Sequence, residues 1–321
     1  MKRKSLLTIL CIYLSLSLTG CGLLPSELET PFQKADVRTP AFSIPVEPVV
    51  NSSYASQYAV IAAETDNSSA AGARLCIDNT MNTVISSENA FKQIYPASIT
   101  KIMTALLVLE HGNLSDMTTV TEPIVLNDPM AVSFGLQVGD TMTVEALMYA
   151  MMNGSANDCA VALGRYIAGN DAAFVELMNQ RAAELGATHT HFTNPHGLHS
   201  PEHYTTAYDL YLIFQELITH KEFQTIASTP RYSLQYTNGN GSSFTRSIAN
   251  SNMFISQTYA VPEGLTILGG KTGTTNEAGC CLIVQARDNN GHDYIAVVCG
   301  ASTSGGRYVQ MQELLKGITG Q

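Results

Sequence analysis

The sequence predicts an α/β domain of the α+β kind: a central antiparallel sheet drawn from both ends of the chain, with an all-helical subdomain inserted between. Three observations carry this. Strand-like runs stand near residues 73–87 and again between 231 and 299. Apolar residues at helical spacing fill most of the stretch between them. The late strands are separated by short turns, which join antiparallel neighbours but not parallel ones.

Residues 73–78 and 83–87 read as a strand pair around Asn79-Thr80-Met81-Asn82, with a further strand over 58–63. From 98 to 110 the period changes, and Ile102, Met103, Ala105, Leu106 and Leu109 fall at helical spacing. Residues 143–152, 158–167 and 206–220 also read as helices. So does 171–185, with Asp171 as its cap and Gly186 as its stop. Strand character returns at 231–236, 266–271, 279–286 and 293–299, with Asn238-Gly239-Asn240-Gly241 as a loop. A helix over 307–316 closes the chain.

The chain has 321 residues, 45% hydrophobic and 14% charged, which suits a packed core rather than disorder. Its net charge is −10, and no run of Lys and Arg follows the first four residues. That argues against general nucleic-acid binding, which needs a basic face.

The N-terminus reads as a targeting segment. Lys2, Arg3 and Lys4 precede an apolar run over 6–18, too short for a comfortable membrane span. The run ends in Leu18-Thr19-Gly20-Cys21, which resembles the lipobox of bacterial lipoproteins, where the cysteine is lipidated and becomes the first mature residue. The expectation is a signal peptide over 1–20, then lipidated Cys21 on a Pro-rich tether over 21–55, then a folded domain over 56–321. Diacyl attachment would hold it at the outer face of the cytoplasmic membrane.

Cys76, Cys159, Cys280, Cys281 and Cys299 belong to the folded part. No C-x-x-C spacing suggests a metal, and apolar neighbours make buried free thiols the default. Cys281 and Cys299 flank Asn289-Asn290-Gly291 almost symmetrically, so a hairpin would set them opposite each other, where a bridge forms only with strain.

Three motifs carry chemistry. Ser98-Ile99-Thr100-Lys101 opens the apolar helix, and its three-residue step sets Lys101 on the serine's face one turn on. A lysine there takes the serine proton if burial or a second cation lowers its proton affinity. Lys101 and Lys271 are therefore expected to lie close enough to depress each other. Ser155-Ala156-Asn157 stands at a break between two helices, where Asn157 suits a substrate amide and Ser155 a proton relay. Lys271-Thr272-Gly273-Thr274 follows a strand. It offers a cation, two hydroxyls for a carboxylate, and a glycine that lets a substrate backbone approach. The N–H groups of Ser98 and Thr274 are the candidate oxyanion donors. Alone, each motif also fits a cap, a turn or a strand end. Their order across a full domain is what gives them weight.

S-x-x-K, S-x-N and K-T-G together mark penicillin-binding proteins and serine β-lactamases. The segment Tyr95-Pro96-Ala97-Ser98-Ile99-Thr100-Lys101-Ile102-Met103-Thr104-Ala105 resembles the nucleophile segment of the serine D-alanyl-D-alanine carboxypeptidases, the low-molecular-mass penicillin-binding proteins. The segments 154–160, 192–198 (Phe-Thr-Asn-Pro-His-Gly-Leu), 203–209 and 270–275 are similar to other parts of that family, over about residues 70–318. The resemblance implies a β-lactamase/transpeptidase-like fold, with Ser98 as acylated nucleophile, Lys101 as base and Ser155 in the proton relay. It also implies a substrate wall of Asn157, Lys271, Thr272, Gly273 and Thr274, and a carboxylate role for Arg307, which otherwise reads as a surface helix cap. His196 reads as cleft-edge or structural and Asp209 as a structural helix start. The implied partners are a peptidoglycan stem peptide ending in D-Ala-D-Ala and β-lactams, with no cofactor and no metal.

Two departures stand out. Members often carry a further β-rich domain and a C-terminal amphipathic anchor, which the N-terminal lipid is expected to replace here. The middle motif is Ser-Ala-Asn where Ser-Gly-Asn is commoner. Two rival readings are a β-lactamase and a non-catalytic cell-wall-binding lipoprotein. Against the first, E-x-x-L-N does not follow the S-x-N motif; Glu122-Pro-Ile-Val-Leu-Asn127 is one residue too long and precedes Ser155. Against the second, the reactive positions are all present.

Overall fold

The structure, a computed structural model, describes residues 72–129 and 131–320. The strand expected over 58–63 and the segment holding Cys21 lie outside the described residues. The main sheet has five strands in the order β2-β1-β9-β8-β7, all antiparallel. Here β1 is Ala73–Asp78, β2 Thr83–Glu88, β7 Leu265–Thr275, β8 Gly279–Asp288 and β9 Asp293–Ala301. Both chain ends thus meet in one sheet, β1 pairing directly with β9.

That sheet is covered on both faces, which is why its strands read as nearly continuous apolar runs. Along β9, Ile295 and Val297 face one core cluster while Ala296 and Val298 face the other. The second cluster is closed by Tyr308, Met311 and Leu315 of the last helix, α7 (Ser304–Thr319), whose N-cap Thr303 accepts the Gly306 N–H. The first is closed by α1 (Lys101–His111), in which every residue from Lys101 to Val108 is buried. An apolar surface on all sides is the mark of a central helix.

The insert between β2 and β7 is mostly helical: α2 (Val144–Met152), α3 (Asn157–Ala168), α4 (Asp171–Glu184), α5 (Ala207–Leu217) and α6 (Lys221–Ser228). The all-helical expectation needs amending. The insert carries a second sheet in the order β3-β4-β5-β6, from β3 (Met117–Thr119), β4 (Thr141–Thr143), β5 (Arg231–Thr237) and β6 (Ser243–Ala249). The cap of α4 is Asn170, whose side chain accepts the Ala173 N–H, not Asp171 one residue later. Thr143 and Thr206 cap α2 and α5 in the same way.

The five cysteines of the described residues are free and buried. The Cys281 and Cys299 thiols hydrogen-bond to each other across β8 and β9, and no disulfide joins them. Among the described residues no helix is long and apolar enough to cross a membrane.

Candidate active site

The three motifs meet where β7, the turn before α1 and the α2–α3 break converge. Ser98 lies in a single 3-10 turn, Ala97–Thr100, that leads into α1. Ala97 sits at φ +47°, a strained conformation for a residue with a Cβ. Two contacts hold it there. Thr100 Oγ1 donates to Ala97 O at 2.8 Å, and Gly197 packs so tightly that a Cβ on it would stand 1.8 Å from Ala97 O. Behind Thr100, His203 Nε2 lies 2.8 Å from Oγ1, while its Nδ1 accepts the Thr193 N–H at 3.0 Å. With the Thr100 proton committed to Ala97 O, the network assigns the His203 proton to Nε2.

Lys101 is fully buried. Its Nζ donates to Ser98 Oγ at 2.9 Å, Asn157 Oδ1 at 2.6 Å and the His196 carbonyl at 2.7 Å. All three acceptors are neutral. Burial therefore lowers its proton affinity well below the ordinary 10.5, and the cation of Lys271 lowers it further. His196 contributes its main-chain oxygen, while burial and Lys101 depress its imidazole to about 3.

Across the cleft Lys271, equally buried, donates from Nζ to Ser155 Oγ at 3.0 Å and to the Thr272 carbonyl at 2.9 Å. Ser155 is held at φ +61° in the break between α2 and α3. Thr272 Oγ1 lies 2.9 Å from Ser251 Oγ. Burial first, then Arg307, lowers Lys271 to about 7. The expected mutual depression of the two lysines is thus one-sided. Lys271 adds to the effect of burial on Lys101, whereas Arg307 adds to the effect of burial on Lys271.

At two of these positions the structure adds contacts within the chain itself. Gly273 faces the chain's own turn: a Cβ there would stand 3.0 Å from both Pro96 O and Ser98 N. Its missing side chain is what lets β7 close on the nucleophile turn. Arg307 is not a surface cap. It is 7% exposed and reaches under β7, donating from Nη1 to Gly273 O and to Thr274 Oγ1, each at 3.1 Å. Asp209 accepts from His189 N and Thr190 Oγ1 and stands among structural residues at the start of α5.

The predicted residues Ser98, Lys101, Ser155, Asn157, Lys271, Thr272, Gly273, Thr274 and Arg307 therefore line or support one cleft, and Cys21 is outside the described residues. His203, Ser251, Asp158 and the His196 carbonyl were not foreseen as partners. Asp158, the acid beside Asn157 at a helix start, left a sequence signal, and His203 opens the segment 203–209 already singled out. Among the described residues no group of three His, Cys, Asp or Glu is placed to hold a metal ion.

A family model described as D-alanyl-D-alanine carboxypeptidase matches residues 59–303. The chain is 32% identical over 243 residues to D-alanyl-D-alanine carboxypeptidase DacF of Bacillus subtilis, covering 74% of this chain and 59% of that one. It is 34% identical over 255 residues to DacD of Salmonella typhimurium, covering 77% and 62%. The chain thus spans about three fifths of the length of these curated relatives. Among solved structures it resembles the Streptomyces K15 DD-transpeptidase, with TM-score 0.70 and 27% identity over 77% of this chain and 96% of that one. It also resembles penicillin-binding protein D2 of Listeria monocytogenes in its cefotaxime-bound form, with TM-score 0.64 and 30% identity over 76% and 95%.

Proposed function

The chain belongs to the D-alanyl-D-alanine carboxypeptidase family, and from that premise we propose that it is a serine D,D-carboxypeptidase of peptidoglycan stem peptides. The observation that carries the reading is a buried lysine, unpaired with any described carboxylate, whose Nζ stands 2.9 Å from Ser98 Oγ. Such an amine is a proton acceptor near neutral pH rather than a surface cation.

In this reading the terminal carboxylate of the substrate lies against Thr272, Thr274 and Arg307, with Lys271 supplying charge. The carbonyl between the two D-Ala residues stands over Ser98, its oxygen toward the N–H groups of Ser98 and Thr274. Neutral Lys101 takes the Ser98 proton as Oγ attacks. The C–N bond then breaks, and the departing D-Ala nitrogen receives a proton relayed through Ser155 from Lys101 or Lys271. Water hydrolyses the acyl-enzyme and frees Ser98. A β-lactam opens on the same serine and leaves slowly; the likeness to a protein solved with cefotaxime supports this.

The Leu18-Thr19-Gly20-Cys21 segment supports export and attachment through lipid on Cys21. The reading is tested by incubating the chain with a D-Ala-D-Ala pentapeptide and with fluorescent penicillin. Release of one D-Ala together with long-lived label on the Ser98 peptide is the expected result. Rapid turnover of the penicillin would instead favour a β-lactamase, and the absence of both a wall-binding module.

A further inference from the structure

Directly after Asn157 stands a buried carboxylate for which the reaction above has no use. Asp158 is 3% exposed, in the first turn of α3, where the helix dipole favours a negative charge. It accepts five hydrogen bonds. Oδ1 takes the N–H groups of Phe134 at 2.8 Å and Cys159 at 3.0 Å. Oδ2 takes Ser133 Oγ at 2.6 Å and the N–H groups of Gly135 at 2.7 Å and Leu136 at 2.9 Å. Five donors converge on its two oxygens, which use the acceptor sites of a carboxylate. The same loop is fixed once more, since the Asn157 N–H donates to Val132 O at 2.8 Å. Helix α3 has no side-chain cap from Ala156; of its first N–H groups, that of Asn157 goes to Val132 O and that of Cys159 to Asp158 Oδ1.

We propose that Asp158 is a positioning residue of the acyl transfer: its charge gathers residues 133–136 into a fixed wall and holds Asn157 against Lys101. The inference rests on the proposed acylation of Ser98 by way of Lys101. The second half of the role is electrostatic. Lys101 faces Lys271 from β7, His196 from the 194–198 loop, and Cys159 and Asp158 from α3, with His203 behind Thr100. Burial keeps His196 and His203 neutral, both depressed to about 3, and keeps the Cys159 thiol protonated. Lys271 and Asp158 are therefore the charges that act on Lys101 at neutral pH, in opposite directions. Asp158 keeps Lys101 basic enough to take a proton while burial and Lys271 strip it.

The test uses the full chain and two variants, Asp158→Asn and Ser133→Ala. In Asp158→Asn the amides of residues 134–136 should exchange with deuterium about tenfold faster or more. The rate of acylation by fluorescent penicillin should fall about tenfold to a hundredfold. Its acidic limb should move to lower pH, because Lys101 loses a stabilising anion. Ser133→Ala should loosen the loop with the limb in place. Unchanged exchange in Asp158→Asn, or a slower rate with an unmoved limb, overturns the proposal. If Asp158→Asn does not fold, Asp158→Glu decides: a slower rate with the limb in place supports it, and full rate or a displaced limb overturns it. Absence of any wild-type label on Ser98 would instead sink the acyl-transfer reading, while the exchange arm still judges the tether.

Discussion

The two walls of the cleft each hold one buried lysine, yet they are built for opposite tasks. On the α1 side, Nζ of Lys101 is ringed by Ser98 Oγ, Asn157 Oδ1 and the His196 carbonyl, and a second cation faces it. On the β7 side, Lys271 touches Ser155 and its neighbour's carbonyl, with the Arg307 guanidinium behind it. The first amine loses its proton well below the ordinary lysine range; the second holds its proton to about 7. Both amines are buried among neutral acceptors with a cation near, so both bind their protons less tightly than an ordinary lysine. The difference teaches that placement divides the tasks, since only Lys101 reaches the Ser98 Oγ. The β7 amine, which holds Ser155 and not the nucleophile, is left to attract an anion.

The largest break in this comparison is Lys101→Met. It should reduce acylation of Ser98 about a thousandfold or more, measured as label per unit time, while the protein stays folded. Next is Gly273→Ala. The added methyl meets backbone atoms of Pro96 and Ser98 at 3.0 Å, so the two walls must part. Acylation should fall about a hundredfold, and Gly270→Ala would not be a fair control because it strikes Ile283 O. Arg307→Gln should cost about tenfold in kcat/KM for a substrate with a free carboxylate, and far less for its amide.

The smallest effect is on stability, and its sign sharpens the contrast. Lys271 has a folded value of about 7, below its ordinary 10.5. Between those values the unfolded chain binds more protons, so stability rises with pH across that window. Lys271→Met should remove that slope and stabilise the fold by about 1–4 kcal/mol near neutral pH, seen as a higher Tm. A lower Tm would mean that the amine's hydrogen bonds outweigh its desolvation.

Much of the main sheet is legible in the sequence, because strands buried on both faces leave apolar runs such as Ile295-Ala296-Val297-Val298. Of the small sheet only β5, expected over 231–236, is legible. β3 and β4 are three residues each, and β6 is an exposed edge strand whose Ser, Thr and Arg give no clear period. β7 reads short because Gly269, Gly270 and Gly273 look like strand ends, whereas each lets another backbone or side chain come close. α6 is hidden because its start at Lys221 follows the previous helix after three residues. In the cleft, side chains that act announce themselves as motifs. Groups that act through backbone, such as the His196 carbonyl, carry no residue-type signal. His203 and Asp158 act by what the fold brings to them from more than 20 residues away.

The most direct test of the central claim is the pH dependence of Ser98 acylation in the wild-type chain, with peptide mapping of the adduct. A base made by burial predicts label on the Ser98 peptide and a rate already near its plateau at pH 7–8. Label elsewhere, or a rate that climbs with each pH unit toward the ordinary lysine value of 10.5, would contradict it.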